Sequence, residues 1–127
     1  VPTSITILTD MAKVVQAAFG GKEKVNSVTG SGALTIDLAD GNVQTLVLTG
    51  DATLSLIGAT PGSSCSLVLK VRQDATGGHT LTLPTILWPG GAPPTLPTDS
   101  AALSKLVLET EDGGTTWEGN VAGLGYA

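Results

Sequence analysis

Few residues in this chain have the types and spacing that chemistry requires. The single histidine, His79, lies shortly after Asp74 and directly behind Gly77-Gly78. A histidine beside a carboxylate can act as a general base, provided a nucleophile lies within reach. No nucleophile-elbow pattern accompanies it. His79 shares the inward parity of Leu81 and Leu83 at a strand's edge, and it reads as a structural residue flanking a turn. The single cysteine, Cys65, alternates with Leu67 and Leu69 and is expected to face the core as a small hydrophobe. A reactive thiol would want accessible, electropositive surroundings. One Cys and one His cannot close a zinc site by themselves.

Glu109, Glu111, Asp112 and Glu118 form the densest acidic group. Glu109 and Glu111 would share a strand face across from Glu118, as a carboxylate pair for glycoside hydrolysis or a calcium site requires. Gly113-Gly114 breaks the regular oxygen spacing of a calcium loop, so the group reads as a solvated strand end that needs no metal. Trp88 and Trp117 could together make a platform on which a sugar stacks. Otherwise each covers an end of the core, where a tryptophan buries about 150–250 Å². Gly77-Gly78 and Gly90-Gly91 neither precede a helix nor carry Lys-Ser/Thr, so they are not phosphate loops. These residues together imply no enzyme, no cofactor and no metal.

The elements that must position these residues follow from periodicity. Met11, Val14, Val15 and Ala18 recur at helical spacing behind the capping residues Thr9-Asp10, and Gly20-Gly21 can end the helix. A short helix over 10–19 is expected, with Lys22 to Gly32 as a linker. From Ala33 the period becomes two. Leu34, Ile36 and Leu38 alternate with polar residues, as do Leu46 and Leu48, Leu54 and Leu56, Cys65 to Val71, Leu81 and Leu83, Leu106 and Leu108, and Trp117 to Val121. Turn signals fall between them at Asp40-Gly41-Asn42, Gly50-Asp51, Pro61 to Ser64, Asp74 to Gly78, Trp88 to Pro94 and Asp112 to Gly114. The expected fold is all-β: a jelly-roll-like antiparallel β-sandwich of about seven or eight short strands over 33–127, preceded by one short N-terminal helix. Residues 1–32 are expected to be a docking arm, with Met11, Val14, Val15, Ala18 and Phe19 as its interface.

Composition sets the outer limits. The 127 residues are 41% apolar and only 13% charged, with seventeen glycines and seven prolines. That excludes intrinsic disorder and a coiled coil. A net charge of -5, with Lys22 and Lys24 as the only basic cluster, argues against nucleic acid as a partner. No apolar run is long enough for a transmembrane helix, and no signal peptide is visible at Val1 to Ser4, so no membrane partner is expected. So apolar a composition in a small domain leaves apolar surface outside the core, which points to self-association or incorporation into an assembly.

Four segments carry a resemblance: Leu46 to Leu56, Val71 to Gly78, Trp88 to Leu96, and Glu111 to Trp117. In this order and spacing they resemble a module of tailed-bacteriophage virion proteins, found in tail-fibre and minor tail proteins and as short head proteins. With no fibre shaft, collagen-like tract or heptad region ahead of the module, the resemblance implies a capsid decoration (cement) protein. Such a protein would bind the major capsid protein as a homotrimer on the capsid surface, after synthesis in the host cytoplasm. The alternative it implies is a tail-fibre or baseplate tip module that binds a host receptor or glycan, with Trp88 and Trp117 as the platform.

Overall fold

The computed structural model describes residues 23–127. The seven strands are β1 (Val25–Asp37), β2 (Val43–Ile57), β3 (Pro61–Gln73), β4 (Leu81–Thr82), β5 (Ile86–Leu87), β6 (Leu103–Asp112) and β7 (Trp117–Tyr126). All belong to one sheet in the order β1-β2-β3-β6-β7-β5, with β4 also on β2. β1, β2 and β3 run parallel, as do β2 with β4 and β5 with β7. β6 is antiparallel to both β3 and β7.

Chain length forces this sheet to curl. β1 has 13 residues and would span about 43 Å if straight. The connection 38–42 can cross no more than about 20 Å, yet Val43 pairs beside Val25 at the far end of β1. The strand must therefore bend back on itself. The bend sits where the β1–β2 register slips, between Gly30 and Gly32, and Gly32 takes a left-handed φ of 73°. Gly50 faces this corner from β2, where a Cβ would lie 3.0 Å from the Ser31 Cβ. Successive turns of the chain then stack: Val43 lies beside Val68, and Ala52 beside Leu81. The antiparallel pair β6–β7 continues the curl from β3, giving an open half-barrel.

The inner face of the curl is the core. Leu46, Leu48, Leu67, Leu69, Leu106 and Leu108 are completely buried. Register stacks them in rows, such as Val28–Leu46–Val71 and Gln44–Leu69–Leu106. Gln44 is a buried polar residue with every amide hydrogen bond accounted for. Its Nε2 donates to the Asp37 carbonyl (2.7 Å) and the Gly41 carbonyl (2.9 Å). Its Oε1 accepts from Asn26 Nδ2 at 3.2 Å. One side chain thus pins the corner that lets β1 and β2 run parallel, which is how a polar group can stay inside.

The expected antiparallel β-sandwich is therefore wrong, and so is its jelly-roll-like layout. Alternation of period two identifies which face a strand buries but not the direction of its neighbour, so coil corners and hairpin turns look alike. Gly50-Asp51, read as a hairpin turn, lies inside β2. Val25 to Gly32, read as linker, is the first half of β1. The helix expected over 10–19 lies outside the described residues, as do Met11, Val14, Val15, Ala18 and Phe19.

Candidate binding surface

Among the described residues the fold positions several concavities and surface patches. The first concavity lies beside His79. Asp74 closes the turn after β3: its Oδ1 accepts from the backbone N–H groups of Thr76 and Gly77, both at 3.0 Å. The His79 Nε2 lies 2.9 Å from the same oxygen. The Gly77 N–H, followed by the His79 interaction, holds the Asp74 carboxyl below the usual carboxylate range, against the opposing effect of desolvation. Buried Gln73 brackets the His79 backbone, donating to its carbonyl (2.7 Å) and accepting from its N–H (3.1 Å). The Thr80 N–H donates to Asp51 Oδ1 at 2.9 Å, and this bond lowers the Asp51 pKa. Gly77 adopts φ 68°, and a Cβ there would lie 2.7 Å from the Ser100 nitrogen and the Thr98 carbonyl oxygen. The turn is thereby locked against the 98–102 segment, with Gly78 N–H donating to the Thr98 carbonyl at 2.7 Å. A cavity of about 310 Å³ lies between these segments, lined chiefly by Leu48, Leu81, Leu83 and Leu96, with His79 and Thr98 among its polar residues. Among the described residues, the His79 ring bonds to no hydroxyl or thiol, only to Asp74.

The second concavity lies at the end of β5. β5 pairs with β7 only at Ile86–Trp117 and Leu87–Glu118, because Pro89 cannot donate to a ladder. The chain peels away after Leu87, leaving a cleft of about 290 Å³ lined by Leu87, Trp88, Pro89, Glu118, Gly119 and Asn120. Trp88 is half-buried and packs against the core. Its ring sits over Gly119, where a Cβ would approach Cζ3 to 2.6 Å. Trp117 is only 3% exposed. The two rings therefore do not form a shared exposed platform. Glu118 and Asn120 are exposed on one face of β7. Neither was singled out with Trp88 from sequence. Alternation about Gly119 sends their side chains to the face of β7 opposite the one that carries the Trp88 ring.

The acidic end is arranged by local hydrogen bonds. Glu109 and Glu118 stand opposite each other on β6 and β7. Asp112 Oδ1 accepts from the Thr116 N–H at 2.8 Å, which lowers the Asp112 pKa. The Thr110 hydroxyl lies 2.7 Å from the Thr116 carbonyl and accepts from the Gly114 N–H. No metal-holding cluster of His, Cys, Asp or Glu occurs among the described residues. Cys65 is half-buried, with Sγ 3.7 Å from the Ser63 carbonyl, rather than fully in the core. Apolar surface remains at Val107, Val121, Leu124 and Tyr126, where Lys105 Nζ lies 5.3 Å from the Tyr126 ring centroid.

Residues 20–108 match a family model described as "Putative phage tail fibre C-terminal domain". The chain belongs to this family. The match runs from just before β1 into β6, so it covers the whole parallel coil and Trp88, while Glu118 and Asn120 lie beyond it. No curated protein and no solved structure matches the chain. The family is one of phage tail-fibre domains, which places the chain among phage virion structural modules.

Proposed function

We infer that the chain is a tail-fibre recognition module, which presents a rigid β-coil to the bacterial surface and binds a glycan there. The family match over residues 20–108 carries this reading. Physical support comes from the fold. Parallel coils make a stiff scaffold, and binding residues on segments braced by such a scaffold lose little entropy when they engage a ligand. The segments 74–80 and 88–102 leave the sheet and are tied back by backbone hydrogen bonds such as Ala101 N–H to the Asp74 carbonyl at 2.9 Å.

The expectation of capsid decoration rested on the lack of a fibre shaft within 127 residues. A tail-fibre family favours the tip-module alternative, so a bacterial surface molecule replaces the major capsid protein as the proposed partner. The homotrimer remains part of the proposal, with Val107, Val121, Leu124 and Tyr126 as apolar surface that association would cover.

Fluorescently labelled chain, incubated with cells of the phage's host, tests the reading. The labelled chain should decorate the cells, and periodate oxidation of the surface polysaccharide should abolish the decoration. No decoration of untreated host cells would overturn the recognition role. Decoration that survives both periodate and mild protease would overturn the glycan.

A further inference from the structure

We propose that the outer face of β3 and β6, centred on Lys70, Lys105 and Arg72, binds an anionic sugar through its carboxylate or phosphate group. The proposal rests on the glycan-binding reading above and gives it a location and a ligand class. Leu67, Leu69 and Val71 of β3 are buried, as are Ser104, Leu106 and Leu108 of β6. The residues that alternate with them share the opposite face of the sheet. On that face Lys70 pairs with Lys105, and Arg72 with Leu103. Lys70 and Arg72 are about 7 Å apart along β3. Three cations thus converge on one surface of a chain whose net charge is -5. Lys24, the other basic residue of the described segment, lies outside the strands.

These cations are uncompensated and held in place. Like charges directly opposite each other destabilise a sheet, and such a pair has Cβ atoms about 5 Å apart. The only ion pair among the described residues is that of Asp74 with His79, so none of the three cations has a carboxylate partner there. An anion between Lys70 and Lys105 would relieve their repulsion and gain charge-assisted hydrogen bonds. Arg72 Nη1 donates to the Ala101 carbonyl at 3.2 Å, which fixes the guanidinium and leaves its other N–H groups for a ligand. Lys105 Nζ sits 5.3 Å from the Tyr126 ring centroid. That ring folds over Gly123, where a Cβ would overlap the Tyr126 hydroxyl. Tyr126 also belongs to the apolar surface assigned to the trimer, so the cations border that contact.

The surroundings suit a sugar. The Lys70–Lys105 row continues through Thr45 to Ser27, which brings two hydroxyls onto the same face. From Ser27 to Lys105 the row spans about 14 Å, room for more than one sugar unit. The rows on either side, which begin at Val25 and Thr29, contain no Asp or Glu. Along β6 the next carboxylate on this face is Glu109, about 13 Å from Lys105 and beyond the Debye length of about 8 Å.

The full chain, labelled with nitrogen-15, is titrated with tetragalacturonate, with its uncharged methyl ester and with D-glucose 6-phosphate, each to about 20 mM, enough to detect millimolar binding. At least one anionic probe should shift the amide resonances of Lys70, Arg72 and Lys105 in a saturable manner, and the tighter of the two names the anion as carboxylate or phosphate. The methyl ester should bind roughly tenfold more weakly or worse. Lys70→Gln and the double variant Lys70→Gln/Lys105→Gln should each lose roughly tenfold or more in affinity. Both should melt no lower than the parent chain, because a like-charge pair is removed. Lys24→Gln should bind as the parent does. The proposal fails if neither anionic probe moves these resonances, if the methyl ester binds as well, if Lys70→Gln binds unchanged, or if Lys24→Gln weakens binding equally. It also fails if a single-stranded DNA oligonucleotide displaces the sugar at equal concentration. If the chain decorates host cells in a periodate-sensitive way while any of these holds, the recognition reading stands and only this site is wrong. Saturable binding at the lysines without decoration of host cells would overturn the recognition reading and leave the site.

Discussion

Replacing Gln44 with alanine should destabilise the domain by about 2–4 kcal/mol. Gln44 is fully buried and makes three hydrogen bonds, two of them to the Asp37 and Gly41 carbonyls that turn β1 into β2. Gly41 is itself buried, so water cannot easily replace the amide there. An orphaned buried acceptor costs about 1–3 kcal/mol, and the truncated side chain adds a cavity term. The Asp37 carbonyl lies nearer solvent and contributes less. Asn26→Ala supplies the comparison: its side chain is half-buried and makes only the 3.2 Å bond to Gln44, so its loss should cost about 1 kcal/mol. Urea unfolding of both variants, with unchanged m-values, gives the two numbers. Gln44→Leu separates packing from hydrogen bonding, since it restores volume but leaves both carbonyls unpaired. It should remain at least ~1 kcal/mol below the parent chain. Wild-type stability in Gln44→Leu, or equal losses in Gln44→Ala and Asn26→Ala, would refute the role assigned to this corner.

Four other outcomes follow. Gly119→Ala should cost about 1–3 kcal/mol by overpacking, and near-ultraviolet circular dichroism should show the Trp88 ring displaced, because a Cβ would meet it at 2.6 Å and Ile86 at 2.8 Å. Asp51, Asp74 and Asp112 all have lowered pKa values in the folded chain. Their stabilisation is therefore present above the unfolded carboxylate pKa of about 3.9 and is lost as pH falls through the folded values. Melting temperature should be level near neutrality and drop below about pH 4, and Asp74→Asn should make that drop shallower; an unchanged slope would count against the Asp74 turn. EDTA or added calcium should leave the melting temperature unchanged, because a bound metal would stabilise by mass action and Asp112 already accepts from the Thr116 N–H. Sedimentation in about 0.5 M NaCl should show a trimer, since apolar burial is not screened by salt; a 12.7 kDa monomer at high concentration would argue against self-assembly.

The sequence made some of this fold legible and hid the rest for identifiable reasons. The inward residues Leu46, Leu48, Leu67, Leu69, Leu106 and Leu108 were readable because a strand's side chains alternate whatever its partners are. The turns at Asp40 to Asn42, Asp74 to Gly78 and Asp112 to Gly114 were readable because Asp and Gly supply local hydrogen bonds and left-handed backbone. Pairing direction was not readable. Val43 lies between Val25 and Val68, and nothing local to Val43 encodes either neighbour. Gly50-Asp51 misled because a coil corner and a hairpin turn make the same backbone demands. Trp88 stood out by residue type, but its seat over Gly119 depends on the two-residue strand β5, which was too short to register as a period. Trp117 stood out equally, and its burial came only with the β5–β7 pairing.

The claim that this chain works at the tail rather than the head is tested most directly by locating it on the particle. Virions of the parent phage can be labelled with a gold-conjugated antibody raised against the purified chain and imaged by electron microscopy. The account predicts gold at the ends of the tail fibres and none above background on the capsid. Gold distributed over the capsid surface, with bare tail fibres, would contradict it.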